Sequence, residues 1–260
     1  MSARRSATVA GFAVAIMAMT GCSGESHGVH FSRSSVDVLV APGDSFPGNF
    51  VFLAHSSDPI WQGIENMTLS GGGRDIIFGA SAITVERGDT VRGMRLGNLM
   101  VDIPMGNESI EFTTVDISLG GGRSDYRTDV GSWLLEPESE SIVLGPTEGL
   151  PVASSRCGDF EFMLSQESGD QITPIGVQTG ADGTQIENVS LPHVLYPGQK
   201  SEASFTIVCD EDFDVHYVTP RLVYTDGDGE REAALISMNI GLLGIDDHAI
   251  DRILDHPAAN

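Results

Sequence analysis

Lysine is almost missing from this sequence. Lys200 is the only one in 260 residues, and lysine and arginine together number 14 against 37 aspartates and glutamates. The formal net charge is −23. A surface that negative repels phosphate backbones, which argues against nucleic acid as a partner. Cysteine is scarce too: Cys22, Cys157 and Cys209 complete the inventory, so a disulfide-dense scaffold is excluded. Long apolar runs are also wanting. Residues 7–19 hold no charge but number only thirteen, whereas a membrane-spanning helix needs about 20 apolar residues. No serine-hydrolase elbow, metalloprotease helix, phosphate loop or dinucleotide fingerprint is present. Helical spacing is confined to the C-terminal residues, which argues against a helix bundle or an alternating α/β fold.

What is there begins at the N-terminus. Arg4 and Arg5 precede the uncharged stretch 7–19, in the arrangement of a secretory signal. The stretch ends Met19-Thr20-Gly21-Cys22, which resembles a bacterial lipobox. That resemblance implies a signal peptide over residues 1–21, cleavage before Cys22, and lipidation of Cys22. It implies a location at the cell membrane, anchored by lipid on the extracytoplasmic face, with the membrane itself as a partner. Each buried methylene of an acyl chain contributes about 0.8 kcal/mol, and stable attachment needs more than one chain. Residues 22–35 then hold the lipidated cysteine and a tether. Loss of Arg4 and Arg5 with the signal leaves 12 basic residues against 37 acidic ones.

With Cys22 assigned to lipid, Cys157 and Cys209 remain as a pair. Export to an oxidising compartment makes a disulfide between them the default. Closing a loop of that size contributes about 4 kcal/mol in the chain-entropy account. A metal site is disfavoured, because no histidine or third cysteine lies at ligand spacing in the sequence.

From Val36 onward the pattern is period two or short apolar runs, broken by Gly, Pro, Asn and Asp, as strands require. Leu99, Val101 and Ile103 alternate with polar neighbours, as do Ala203, Phe205 and Ile207. Turns are expected at Gly71-Gly72-Gly73, Gly88-Asp89, Gly120-Gly121-Gly122 and Asp226-Gly227-Asp228-Gly229, with a last strand over 233–240. The Pro-, Gly-, Glu- and Ser-rich stretch near 137–155 reads as a linker. The predicted fold is all-β, with one β-sandwich over 36–136, a second over 137–244, and a helical tail over 245–260. The Pro-Gly turns that open strands at Pro42-Gly43 and Pro197-Gly198 resemble those of immunoglobulin-like modules in bacterial surface proteins. That resemblance implies two tandem immunoglobulin-like domains.

The densest acidic cluster is Asp210, Asp212 and Asp214 together with Asp226, Asp228 and Glu230. Clustered loop carboxylates suit Ca²⁺, which takes six to eight oxygens, although the EF-hand spacing is absent. A solvated hairpin tip explains the same residues. Met94, Met100 and Met105 with His55 would suit a soft Cu(I) ion, but methionine on an apolar strand face is ordinary core packing. Arg74 and Arg123 follow the triglycines, which read as hairpin turns and not as anion cradles. His216 shares a strand face with Asp214 and reads as a surface pair, with no nucleophile beside it in sequence. The sequence thus points to a non-catalytic lipoprotein that binds or builds envelope components, with an envelope protein as a further partner and no cofactor. A Ca²⁺-binding module and an enzyme with an unfamiliar site are the alternatives.

Overall fold

The computed structural model describes residues 28–120, 125–138, 144, 148–167, 169–227, 229–241 and 247–259. The expectations for residues 1–21, Cys22, Gly121, Gly122, Arg123 and Asp228, and for much of the linker, lie outside these residues.

The fold is all-β with one short helix. In chain order the first strands are β1 (His30–Phe31), β2 (Ser34–Val40), β3 (Ser45–His55), β4 (Asn66–Ser70), β5 (Ile76–Gly79), β6 (Thr84–Val91), β7 (Met94–Pro104), β8 (Ile110–Ser118) and β9 (Tyr126–Pro137). The later ones are β10 (Ala153–Ser154), β11 (Gly158–Ser165), β12 (Thr173–Gln178), β13 (Thr184–Ser190), β14 (Lys200–Cys209), β15 (Val215–Val218), β16 (Arg221–Thr225), β17 (Glu230–Ala234) and β18 (Met238–Ile240). Helix α1 (Asp247–Asp255) follows.

Four sheets arise from these strands. One has the order β1-β3-β7-β6 and another the order β10-β18-β15-β2-β9-β8-β4-β5. Two three-stranded sheets, β11-β14-β13 and β12-β16-β17, belong to the later half. Period-two alternation explains most of them. In β7, Leu99, Val101 and Ile103 turn inward, and in β8 Ile110 and Phe112 do so before a bulge shifts the phase to Val115 and Ile117.

The first apolar cluster is centred on Trp133, which is 1% exposed. Phe50 of β3 and Phe112 of β8 both stack against it, at centroid distances of 4.7 and 4.9 Å. The second cluster gathers Phe160, Phe162, Phe205, Leu222 and Tyr224. The two halves interlock: β15 of the later half pairs parallel with β2, and Val215 and Tyr217 enter the first cluster. β2 is parallel to β9 on its other side, with Val36 opposite both Trp133 and Tyr217. A strand covered on both faces loses alternation, and Ser34 to Val38 are all buried. At Gly131 the backbone has φ +93, and a Cβ there would stand 2.1 Å from the Ser34 carbonyl oxygen. Only glycine lets β2 and β9 approach so closely.

Two local expectations are corrected. Gly88-Asp89 is a bulge inside β6, and the hairpin turns instead at Arg92-Gly93, where both residues have positive φ, as a tight turn between antiparallel strands demands. The stretch 233–240 is two strands, and β17 and β18 belong to different sheets. Gly71, Gly72 and Gly73 do form a hairpin turn, all with positive φ. Within the linker stretch, β10 pairs with β18 and Leu150 is buried in the second cluster.

Helix α1 is amphipathic. Ile250 and Ile253 bury against Leu53, while Asp247 stands in the first turn, where a carboxylate favours the helix dipole. Beyond Pro257, the chain packs beside the residues that enter β1: the Ala259 amide donates to the Val29 carbonyl at 2.8 Å, and Val29 is fully buried.

Candidate functional site

One face of β15, with Val215 and Tyr217, packs in the first cluster, and on the other face His216 packs against Phe213 and Thr184, so all its residues are buried. Asp214 immediately precedes it and is 7% exposed; His216 within it is 4% exposed. The expected surface pair is therefore a buried one, because both faces of β15 are covered by other elements. The two side chains take different partners. The Asp214 carboxylate accepts from the Arg33 amide and meets His256 Nε2, each at 2.9 Å, and lies 3.2 Å from Arg252 Nε. This network ties β15 to α1 and to the chain entering β2. A buried carboxylate needs such partners, since an unpaired charge there would cost several kcal/mol.

His216 points into the later half. Its Nδ1 meets Thr184 Oγ1 at 3.0 Å, and Phe213 packs edge-on at 6.0 Å between centroids. Burial pushes its pKa down to about 4, helped by the Arg252 guanidinium and only partly opposed by Asp214 and Asp210. The ring is thus neutral at pH 7. Thr184 stands opposite Cys209 in the β13–β14 register, which brings the hairpin over His216. Cys157 and Cys209 form a disulfide, with Cα atoms 6.1 Å apart. The two sulfurs and a ring nitrogen of His216 lie within 4.8 Å of one another. Cys157 and Cys209 are half-buried, so the bridge is within reach of solvent.

A hydroxyl, an imidazole and a carboxylate thus stand near one another, but not as a hydrolytic triad. Asp214 orients His256, not His216, and Thr184 is itself only 8% exposed. A nucleophile needs a substrate space beside it, and the larger cavities are elsewhere. One of about 420 Å³ is lined by Glu148, Glu161, Met163 and Glu202 on the β11–β14 sheet. Another of about 400 Å³ lies beside Arg33, Arg127 and His256.

A second buried charge cluster lies at the opposite end of β2. Asp37 is fully buried and accepts from the Gly180 amide at 2.7 Å and from Arg221 Nη2 at 2.5 Å. Arg221 also pairs with Glu136. Burial raises the Asp37 pKa above its usual value, against the pull of the Gly180 amide and Arg221. A cavity of about 240 Å³ opens beside Arg221, Glu136 and Glu232. Asp37 was detectable in the sequence only as a lone carboxylate in a valine run, Val36-Asp37-Val38.

The remaining expected site residues are dispersed. Asp210 Oδ1 accepts from the Asp212 amide at 3.0 Å, closing its own turn, and the Asp212 carbonyl accepts from Arg33 Nη1 at 3.3 Å. Asp226 pairs with Arg231 Nε at 2.9 Å. Glu230 is exposed at the start of β17, opposite Thr225. Among the described residues, the acidic members proposed for Ca²⁺ do not converge on one point; the group of His, Cys, Asp and Glu that does is Cys157, Cys209 and His216. Met94 stands opposite His55 across β3–β7, but Met100 stands opposite Asn49, and Met105 is packed in the first cluster. Spacing alone does not announce His216 beside the cysteines, since it is seven positions from Cys209 and 59 from Cys157.

No family model matches the chain, and no curated protein matches it. Among solved structures it is similar to a protein of unknown function from Porphyromonas gingivalis W83. The similarity spans 83% of this chain and 100% of that one, at 11% identity and a TM-score of 0.28. A likeness that low fixes neither fold nor function.

Proposed function

We propose that the protein is a lipoprotein held at the extracytoplasmic face of a bacterial membrane, where it binds or builds envelope components without catalysing a reaction. The observation that carries this reading is Met19-Thr20-Gly21-Cys22 behind Arg4, Arg5 and the uncharged stretch 7–19. The position of Val29, the first buried side chain among the described residues, supports it. Val29 is fully buried, so the seven residues from Cys22 to Val29 give the folded body at most about 25 Å of reach from its anchor. A body held that close meets partners in the envelope and not at long range.

The body itself suits a binding or scaffolding role. Its two larger apolar clusters support a reading as two immunoglobulin-like sandwich modules, joined through β15 and β2 and not strung as separate beads. Its most buried charges are engaged in ion pairs that hold elements together. The test is Cys22→Ser in the native host, fed a clickable palmitate. Wild type should carry the label and sediment with membranes, and the variant should do neither. A variant that is still labelled and still sediments with membranes would refute the anchor.

A further inference from the structure

We propose that Cys157, Cys209 and His216 form a reduction-gated site for a thiophilic divalent cation of the zinc class. The oxidised protein holds the two sulfurs as a disulfide, with the His216 imidazole beside them. Two strands and a loop converge here: Cys157 precedes β11, Cys209 ends β14, and His216 lies in β15. The three potential ligand atoms already lie within 4.8 Å of one another. In a tetrahedral zinc site with Zn–S of ~2.3 Å and Zn–N of ~2.0 Å, neighbouring ligand atoms stand roughly 3.5–3.8 Å apart. Once the S–S bond opens, small rotations about the cysteine Cα–Cβ bonds cover the difference, with no strand displaced.

The imidazole is prepared for this role. Thr184 Oγ1 meets Nδ1 at 3.0 Å and so fixes the ring, as an outer partner does for a metal-bound histidine. A purely structural bridge would pack as well against an apolar side chain, without the cost of burying an imidazole. Cys157 and Cys209 are half-buried, which leaves a fourth coordination position open to water and the bridge open to a reductant.

The chemistry balances as follows. A dithiol of the Cys-x-x-Cys type gives two electrons and two protons to the bridge, becoming a disulfide and leaving two thiols. Binding a divalent cation then releases both thiol protons, so the site carries two thiolates and one neutral imidazole. Oxidation by a disulfide of the same class passes the two electrons to that disulfide, which takes two protons from water to become a dithiol, while the bridge is restored and the cation expelled.

The experiment uses the full chain purified in detergent. The protein is reduced with a phosphine under argon, desalted, and titrated with Co²⁺ and then Zn²⁺. Reduced wild type should bind one equivalent of Co²⁺ with a sulfur-to-cobalt charge-transfer band, which Zn²⁺ abolishes, and the oxidised protein should show no band. Histidine 216 is tested by His216→Gln, which should bind on the order of tenfold more weakly or worse while its circular dichroism is unchanged. The double variant Cys157→Ser, Cys209→Ser should lose the band. The proposal is overturned if reduced wild type shows no band, if His216→Gln binds as wild type does, or if reduction alone unfolds the protein.

Discussion

The neutral state of His216 makes a quantitative prediction about acid stability. In the unfolded chain its pKa is the ordinary 6.5, and burial lowers it to about 4 in the fold. Below pH 6.5 the unfolded chain therefore takes up a proton that the folded one refuses. The stabilising contribution is complete above pH 6.5, declines as the pH falls towards about 4, and changes no further below that. A difference of about 2.5 units corresponds to roughly 3 kcal/mol over the whole window. Many carboxylates titrate in the same range, so the informative quantity is the difference between wild type and His216→Gln. Guanidinium unfolding of both, kept oxidised, should be followed from pH 7 down to pH 4. Losing the Thr184 contact shifts the variant by a constant amount at every pH and leaves the slope unaffected. Wild type should lose roughly 3 kcal/mol more than the variant as the pH falls. Parallel losses in the two proteins would show that His216 is protonated in the fold and that the reasoning is wrong.

Other outcomes follow from the packing. Trp133→Ala should cost about 3–5 kcal/mol in chemical denaturation, since both stacking partners, Phe50 and Phe112, face the cavity it leaves. Gly131→Ala forces a left-handed backbone on alanine and drives its Cβ into the Ser34 carbonyl, so its thermal midpoint should fall by several degrees at least. Arg221→Met leaves Asp37 buried without its cation and should cost about 3–5 kcal/mol; adding Asp37→Asn should recover much of that, as a double-mutant cycle would report.

The strands whose one face is solvated were legible in the sequence. Leu99, Val101 and Ile103 alternate because one side of β7 meets the first cluster and the other meets water. The same rule marks Ala203, Phe205 and Ile207. Asp247–Asp255 was legible from its helical spacing, and the bridge between Cys157 and Cys209 from simple counting. What the sequence hid depends on pairing between distant strands. Nothing local in Val36-Asp37-Val38 says that the strand is covered by β9 and β15, and so nothing local says that Asp37 needs Arg221. His216 was misplaced for a related reason: alternation assigns it a face, but only the packing of distant Thr184 against that face makes it interior. Asp210, Asp214 and Asp226 are dispersed because each carboxylate has a separate partner: the Asp212 amide, Arg252 and Arg231 in turn.

The seat of β2 between β9 and β15 has a consequence for biogenesis. A polypeptide delivered N-terminus first presents this valine-rich strand long before either neighbour has been made. It can pair with β9 once residues 126–137 are out, but its other edge stays open until β15 follows. An open apolar edge is a template for the wrong chain, so the nascent molecule is at its stickiest during that interval. A polypeptide cut short before Asp214 keeps that edge for good. Truncated copies should therefore aggregate or be degraded, even though every residue of the first apolar cluster up to Leu135 has been made.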